Sequence, residues 1–229
     1  HSSAASDVYK RQGIECLFYQ LKRYTGKDPF ESAFSKGLAS IPINGLIWMG
    51  SIDEMKVRVR QKIQQGFSVL KFKIGALDFQ SEYELLSQVR KEFGYELEIR
   101  VDANGAFDAH NVKDILSKLK EIDIHSIEQP VRPGQWELMR SLSEDGLVPI
   151  ALDEELIGIH PIEKKIELLE SICPQYIILK PSLHGGLIGT LEWISSARKM
   201  HIGWWITSAL ESSIGLEAVS YTHLRAHET

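Results

Sequence analysis

Residues 69–74 read Val69-Leu70-Lys71-Phe72-Lys73-Ile74, an apolar run that carries two lysines two positions apart. Side chains two apart on a strand lie on the same face, so the run predicts a strand with both ammonium groups on one side and Phe72 on the other. Further short apolar runs end at charged residues, which follow Lys73 at intervals of 29, 26, 25 and 27 positions: Asp102, Glu128, Asp153 and Lys180. This rhythm is typical of a repeating strand-helix unit.

The intervals between these charges contain helical patterns with start and stop signals. Ser51 and Glu54 form a capping box, Gly94 stops a helix, Asp108 is expected to cap the next one, and Pro161 opens another. Alternating strands and helices predict the α/β class, and strand-end charges predict a (β/α) TIM-type barrel, whose active site lies at the C-terminal ends of its strands. Strands are expected at 43–49, 67–74, 98–101, 126–128, 149–153, 176–180 and 203–207.

The two ends of the chain look foreign to the rest of it. Residues 1–12 and 219–229 resemble translated sequencing-adapter DNA, and we interpret them as adapter-derived tails without regular structure. Residues 13–40 are interpreted as the C-terminal part of a preceding domain, and residues 41–218 as a barrel truncated before its final strand. A truncated barrel has open strand edges and an opened interior, so this interpretation predicts an inactive, aggregation-prone fragment.

Composition excludes several classes of protein. The chain has 26 Lys and Arg against 31 Asp and Glu, a net charge of −5, and so lacks a basic footprint for nucleic acid. Its longest apolar stretches are far shorter than the roughly 20 residues of a membrane span. Cys16 and Cys173 each lie in an apolar setting, which predicts buried free thiols in a cytoplasmic protein. The sequence favours no particular oligomeric state.

Three of the strand-end charges are carboxylates, namely those of Asp102, Glu128 and Asp153. Adjacent parallel strands lie about 4.8 Å apart, so three carboxylates at one height can converge on a single ion. Oxygen ligands without a nearby His or Cys favour Mg²⁺, or Mn²⁺ in its place, over Zn²⁺. The sequence therefore predicts a metal site that these three residues share.

Lysines are predicted on both sides of this metal site. Lys71 and Lys73 share a strand face, and Lys180, four strands after Lys73, is expected to face it across the barrel mouth. A lysine acts as a base only when a useful fraction is neutral, which desolvation, a neighbouring ammonium and a divalent cation all promote. The arrangement fits removal of a proton next to a metal-bound carboxylate, so a small-molecule carboxylate is the expected substrate.

The order Lys-x-Lys at 71–73, Asp-x-Asn at 102–104, Glu128, Asp153 and Lys180 resembles the enolase superfamily, and within it the muconate-cycloisomerase-like subgroup. The resemblance implies the barrel of that superfamily, with residues 13–40 as the remnant of an N-terminal α+β capping domain. It also implies a lysine base that works with Mg²⁺.

Two segments indicate which enzymes of this subgroup the chain resembles most. Residues 179–186 and 205–215 resemble the dehydratases of this subgroup that form o-succinylbenzoate in menaquinone biosynthesis. The resemblance implies that Lys73 removes the proton alpha to the substrate carboxylate and returns it to the departing hydroxide. It implies that Lys71 supports that carboxylate and that Lys180 stabilises the opposite face. Family placement makes four further residues candidates for substrate binding: Asn104, Ser208, Ser212 and Ser213.

Other functions stay open at this point. The same scaffold could carry a dipeptide epimerase or N-acylamino acid racemase, with Lys73 and Lys180 as opposed bases, or a muconate cycloisomerase. A third reading is a barrel that binds a carboxylate without turning it over. The Ser-Ala-Leu-Glu-Ser segment at 208–212 favours the dehydratase, and the intact set of charged residues argues against a binding-only protein.

Overall fold

A computed structural model describes residues 2–26, 31, 33–213, 215–217, 219–220 and 222. In chain order the elements are α1 (Ser2–Tyr24), β1 (Gly45–Ile47), α2 (Ile52–Gln64), β2 (Val69–Lys73), α3 (Phe79–Phe93), β3 (Glu98–Asp102), α4 (Val112–Glu121), β4 (Ser126–Glu128), α5 (Trp136–Asp145), β5 (Ile150–Leu152), a 3₁₀ turn (Glu154–Leu156), α6 (Ile162–Ile172), β6 (Tyr176–Leu179), α7 (Gly186–Lys199) and β7 (Gly203–Ile206).

The chain divides into two compact units. The first unit contains Ile43–Glu155 and Ser171–Gln175, and so carries strands β1 to β5. The second unit contains His1–Pro42, Leu156–Glu170 and Tyr176–Thr229, and so carries α1, α7 and strands β6 and β7. The two units are described separately below.

Strands of the first unit pair in parallel and in chain order, as a repeating strand-helix unit requires. Their register places Lys73 opposite Asp102 and Asp102 opposite Glu128. The charged ends of β2, β3 and β4 are therefore level with one another. On the opposite face of these strands lie buried apolar side chains, which include Leu70, Phe72, Ile99, Ile127 and Ile150.

Local signals in the sequence set the helix ends of this unit. Ser51 and Glu54 form the predicted capping box of α2, with the Ser51 backbone N–H donating to the Glu54 carboxylate at 2.8 Å. Gly94 ends α3 with φ 72°, a conformation that favours glycine. One expectation is wrong: Asp108 does not cap α4, because its carboxylate accepts from the backbone N–H of His110 and the helix begins after Asn111.

In the second unit, β6 pairs in parallel with β7, and Ile178 lies opposite Trp205. Helix α1 packs on α7 through Cys16, Tyr19 and Leu187. The Glu15 carboxylate accepts a hydrogen bond from the Leu187 backbone N–H at 2.6 Å. This carboxylate occupies the N-terminal end of α7, where helical N–H groups lack partners within the helix and favour a negative charge.

Some expectations about the chain ends differ from the structure. Residues 2–12 were expected to lack regular structure, but they form the first half of α1, which continues through residues 13–24 without a break. Most of segment 219–229, together with residues 27–30 and 32 of segment 13–40, lies outside the described residues. Cys16 is buried as expected, whereas Cys173 is exposed because it follows the end of α6 with φ 52°. Among the described helices, none is long and apolar enough to cross a membrane.

Candidate active site

Strand β2 presents its two lysines on one face. Its burial alternates along the strand: Leu70 and Phe72 are fully buried, while the side chains of Lys71 and Lys73 are each 14% exposed. The short period of a strand explains this split, since neighbouring side chains point to opposite faces. Both ammonium groups therefore reach the carboxyl end of the strands, where β3 and β4 end in acids.

Lys71 and Lys73 form ion pairs with the ends of the two neighbouring strands. Lys71 Nζ lies 2.6 Å from Glu128 Oε2 and 2.8 Å from Asp102 Oδ2. Lys73 Nζ lies 2.6 Å from the same Asp102 oxygen. These four residues form one charged group, called the Lys–acid cluster below.

The charges of the Lys–acid cluster shift the pKa values of its members. Burial alone would raise the pKa of Asp102, but the charge of Lys71, a hydrogen bond with Glu128 and the charge of Lys73 outweigh it and lower this pKa to about 2. Burial raises the pKa of Glu128 well above its ordinary value, and the charges of Asp102 and Asp153 add to that rise. The two acids thus differ: their surroundings favour the charged form of Asp102 and oppose the ionisation of Glu128.

Lys71 remains a cation in this arrangement. Burial lowers its pKa, but the Glu128 and Asp102 carboxylates more than offset that effect, so the pKa lies above its ordinary value. A lysine held between two acids at 2.6 and 2.8 Å is suited to holding charge and poorly suited to accepting a proton. Of the two lysines, Lys71 has two carboxylate partners among the described residues and Lys73 has one.

Asp153, the third predicted metal ligand, is fully buried just beyond β5. Its charge raises the pKa of Glu128 and of Glu154, so it acts on both neighbours. Within the described residues, however, no three His, Cys, Asp or Glu side chains form a group arranged to hold a metal ion. The structure brings Asp102 and Glu128 together with both lysines, but it does not bring the three carboxylates into a ready ligand group.

The donor chemistry of these acids nevertheless fits a hard cation. Glu128 is 2% exposed, and its Oε1 atom is buried without a hydrogen-bond partner among the described residues. Negative charges at Asp102 and Asp153 oppose its ionisation. A divalent cation bound by carboxylate oxygens would relieve that cost, and Mg²⁺ accepts such ligands.

Two residues near Lys73 were not predicted from the sequence. Glu154 Oε1 accepts a hydrogen bond from Asn104 Nδ2 at 2.7 Å, and Asn104 Oδ1 accepts one from Lys73 Nζ at 2.7 Å. Burial, followed by the charge of Asp153, raises the pKa of Glu154. The half-exposed Trp48 ring centre lies 5.9 Å from Lys73 Nζ. In the sequence, Glu154 is marked only by its place directly after the predicted strand 149–153, and Trp48 lies near the end of the predicted strand 43–49.

The remaining predicted residues lie in the second unit. Lys180 directly follows β6, and its backbone N–H donates to His184 Nδ1 at 2.9 Å. Ser182, fully buried, donates to Glu211 Oε1 at 2.6 Å, which ties the loop after β6 to the loop after β7. Ser208 in that second loop is half-buried, whereas two other predicted substrate contacts are exposed: Ser212 and Ser213.

Known proteins resemble this chain in sequence and in fold. A model of the family described as "Enolase C-terminal domain-like" matches residues 54–227. An o-succinylbenzoate synthase of Desulfotalea psychrophila (strain LSv54 / DSM 12343) is 50% identical over 211 residues, which cover 92% of this chain and 57% of the relative. The chain therefore spans somewhat more than half the length of this relative. An L-Ala-D/L-Glu epimerase of Francisella tularensis subsp. novicida (strain U112) is 26% identical over 173 residues, 75% of this chain and 48% of the relative.

Solved structures give the same picture of the fold. The crystal structure of MenC from Desulfotalea psychrophila LSv54 matches with a TM-score of 0.81 and 40% identity, and the match covers 100% of this chain and 68% of that one. A muconate cycloisomerase from Pseudomonas fluorescens matches with a TM-score of 0.73 at 24% identity, covering 80% of this chain and 50% of the other. At that identity the second match supports the fold alone.

Proposed function

The chain belongs to the enolase C-terminal domain-like family, and from this premise we propose that it carries the catalytic barrel of a Mg²⁺-dependent dehydratase that forms o-succinylbenzoate. The observation that carries the proposal is the Lys–acid cluster, in which Lys73 lies 2.6 Å from Asp102 at the level ends of neighbouring strands. The 50% identical relative, named o-succinylbenzoate synthase, selects the reaction among those open to this family.

Each residue of the cluster has a separate role in the proposed reaction. The Lys73 amine takes the proton alpha to the substrate carboxylate, and the electrons of the broken C–H bond pass into that carboxylate. They then form a new ring double bond as the C–O bond breaks, and the Lys73 ammonium returns its proton to the leaving hydroxide. The products are o-succinylbenzoate and water. Lys71, held by Glu128 and Asp102, keeps its positive charge beside the substrate carboxylate.

Asp102, Glu128 and Asp153 are the residues that would hold Mg²⁺, and the ion would supply positive charge to the carboxylate as it gains electrons. Lys180 is proposed to stabilise the opposite face of the substrate as an electrostatic partner. Asn104, Ser208, Ser212 and Ser213 are proposed to contact the substrate. The reaction uses a small metabolite carboxylate, and for such an enzyme we propose a cytoplasmic location.

The test is an assay of the complete gene product with the hydroxylated cyclohexadiene carboxylate that yields o-succinylbenzoate on loss of water. We expect the absorbance of the aromatic product to appear only with Mg²⁺ present, and to be lost after chelation and restored by added Mg²⁺. A matched panel of L-Ala-L-Glu and an N-acylamino acid is assayed in parallel by chiral analysis. Turnover of either panel compound with no dehydration would overturn the proposal.

The second candidate is a dipeptide epimerase or N-acylamino acid racemase. The similarity to the epimerase of Francisella tularensis subsp. novicida favours it, although at 26% identity this similarity is weaker. Racemisation needs two proton carriers on opposite faces, whereas a dehydration that returns the same proton needs one. Solvent deuterium exchange therefore separates the two candidates, since in a racemase both Lys73 and Lys180 exchange protons with the substrate.

A further inference from the structure

We infer that Glu154 is a positioning residue that holds the Lys73 amine in place through the side-chain amide of Asn104. The inference rests on the proposed function, in which Lys73 is the base. Neither the resemblance to known enzymes nor the strand-end pattern assigns a role to Glu154. The three side chains form a chain of two hydrogen bonds, each 2.7 Å long: Glu154 Oε1 to Asn104 Nδ2, and Asn104 Oδ1 to Lys73 Nζ.

The chemistry of the two end groups fixes which way the amide points. An ammonium can only donate hydrogen bonds, so the amide oxygen of Asn104 must face Lys73. The amide nitrogen then faces Glu154, whose carboxylate oxygen accepts from it. The reverse orientation would set donor against donor at Lys73 and acceptor against acceptor at Glu154. Glu154 therefore stabilises the orientation in which Asn104 offers its oxygen to the lysine.

The backbone of Asn104 is fixed, but its side chain is not held by packing. Its backbone N–H donates to Asp102 Oδ1 at 3.1 Å, and its φ of 45° puts it in a left-handed turn directly after β3. The residue is exposed at the strand ends, so few neighbours restrain the rotation of the amide. Beside the hydrogen bond that it accepts from Lys73, the bond that Asn104 donates to Glu154 is the described contact that supplies this restraint. Without it the amide could turn away from Lys73 at little cost.

Glu154 is itself held firmly. It begins the 3₁₀ turn after β5, between the fully buried Asp153 and the buried Glu155. Glu155 Oε2 accepts from Gln129 Nε2 at 3.1 Å, and the Glu155 backbone N–H donates to Gln129 Oε1 at 3.2 Å. The turn that carries Glu154 is thus fixed to the end of β4. A rigid support of this kind can transmit position to a lysine two hydrogen bonds away.

The position of Lys73 matters because its other described acceptor carries a charge. Asp102 Oδ2, at 2.6 Å, is a carboxylate oxygen that is shared with Lys71. Asn104 offers a neutral oxygen, which orients the amine without adding negative charge beside it. Small errors in the placement of a proton acceptor reduce the rate steeply, and outer partners of reacting groups are typically worth 10- to 100-fold.

The experiment compares two variants of the complete gene product. Glu154→Leu removes the acceptor and keeps a side chain of similar size, whereas Glu154→Gln removes the charge but can still accept from Asn104 through its amide oxygen. We expect Glu154→Leu to lower kcat by about 10- to 100-fold with KM little changed. Glu154→Gln should recover most of that loss. Thermal melting of both variants provides the control for a purely structural effect.

A double-mutant cycle tests whether Glu154 acts through Asn104. If it does, Glu154→Leu combined with Asn104→Ala lowers kcat no further than Asn104→Ala alone. If the losses of kcat in the two single variants multiply in the double variant, the inference is overturned. An equal loss of kcat in Glu154→Gln and Glu154→Leu would overturn it as well. Failure of the proposed function looks different, because the wild-type protein would then form no o-succinylbenzoate. An active wild type, an inactive Lys73→Ala and a fully active Glu154→Leu would remove this inference alone.

Discussion

Two buried glutamates at the ends of neighbouring strands are treated in opposite ways by their surroundings. Glu155, 5% exposed, accepts hydrogen bonds from the Gly134 backbone N–H and the Trp136 indole, each at 2.8 Å, and from Gln129. Glu128, 2% exposed, pairs with Lys71 at 2.6 Å and interacts with the acid Asp102. Its Oε1 atom finds no hydrogen-bond partner among the described residues.

The difference distinguishes a carboxylate with a structural role from one that is suited to chemistry, although both lie at the ends of neighbouring strands. A carboxylate that collects neutral donors joins loops together, and it is stable as it stands. A carboxylate that is buried beside other acids, with an unsatisfied oxygen, costs stability and is retained where charge is needed for another purpose. On this comparison, changes at Glu155 should affect folding, and changes in the Lys–acid cluster should affect activity.

The largest expected effect is on the Lys73 amine. Lys73→Ala in the complete gene product should lower kcat by at least about 10²- to 10⁴-fold, because the general base is lost. Exchange of the substrate's alpha proton with deuterated solvent, followed by NMR, should stop as well. Lys180→Ala is the matched control, and it should slow turnover while leaving some exchange. The opposite pattern, with exchange lost only in Lys180→Ala, would reverse the roles of the two lysines.

Asp102→Asn tests the metal side of the cluster. This change removes the carboxylate that both lysines share, and with it one proposed Mg²⁺ ligand. We expect Mg²⁺ affinity in calorimetry to fall by more than the roughly 10- to 100-fold that loss of an outer partner costs. Glu144→Gln, on the exposed face of α5, is the control. Unchanged Mg²⁺ affinity in Asp102→Asn would show that the metal assignment is wrong.

The free energy of unfolding should depend more on Glu155 than on Glu128, which is the reverse of the order expected for activity. Glu155→Ala removes a buried carboxylate that accepts from Gly134, Trp136 and the buried Gln129, and a hydrogen bond to a charged group contributes about 1.5–3 kcal/mol. We expect urea unfolding to show a loss on the order of 3 kcal/mol. Glu128→Gln without Mg²⁺ should change stability by less than about 1 kcal/mol, since burial disfavours the charge that is removed and Lys71 keeps Asp102 as a charged partner. Equal losses in the two variants would break the comparison.

The smallest expected effect concerns Glu82, which is another buried glutamate. It accepts from the backbone N–H groups of Gly75, Ala76 and Leu77, yet burial still raises its pKa above 4.5. Between 4.5 and that raised value the folded protein binds more protons than the unfolded chain. Its contribution to stability is therefore complete below 4.5 and is lost as the pH rises through the folded pKa.

Urea unfolding from about pH 4 to about pH 7 measures this contribution. We expect the slope of stability against pH to become less negative in Glu82→Gln than in the wild type. An exposed glutamate, Glu137 at the start of α5, is the matched control when changed to Gln. If the two variants show the same slope as the wild type, Glu82 does not titrate differently on folding.

Most of the fold could be predicted from the sequence because each element carries its own signal. The alternation of Leu70, Lys71, Phe72 and Lys73 predicted β2 and the face of each side chain, and the capping box at Ser51 predicted the start of α2. The (β/α) TIM-type barrel class is confirmed by the family match and the MenC structure. The start of α1 was not predictable, because residues 2–12 carry no apolar periodicity to indicate a helix.

For the candidate site, the sequence predicted the residues that lie at the ends of individual strands. The even spacing of strand ends placed Lys71, Lys73, Asp102 and Glu128 together, and the structure joins them in ion pairs. The link from Glu154 to Asn104 spans 50 positions and depends on the directions of two side chains after their strands. Spacing along a chain contains no information of that kind. The metal ligation of Asp102, Glu128 and Asp153 stays a prediction, and so do the roles of the three lysines, of Asn104 and of the serines.

The alternating burial of β2 also affects which strand register forms during folding. The register sets Lys73 opposite Asp102, while Leu70 and Phe72 lie on the buried side. A slip of one residue would turn both apolar side chains towards the open end and force two ammonium groups among the buried apolar side chains. The proposed catalytic lysines therefore also select one pairing of β2 with β3 during assembly. Apolar residues in place of Lys71 and Lys73 would remove the penalty on mispaired states, apart from any effect on the proposed proton transfer by Lys73.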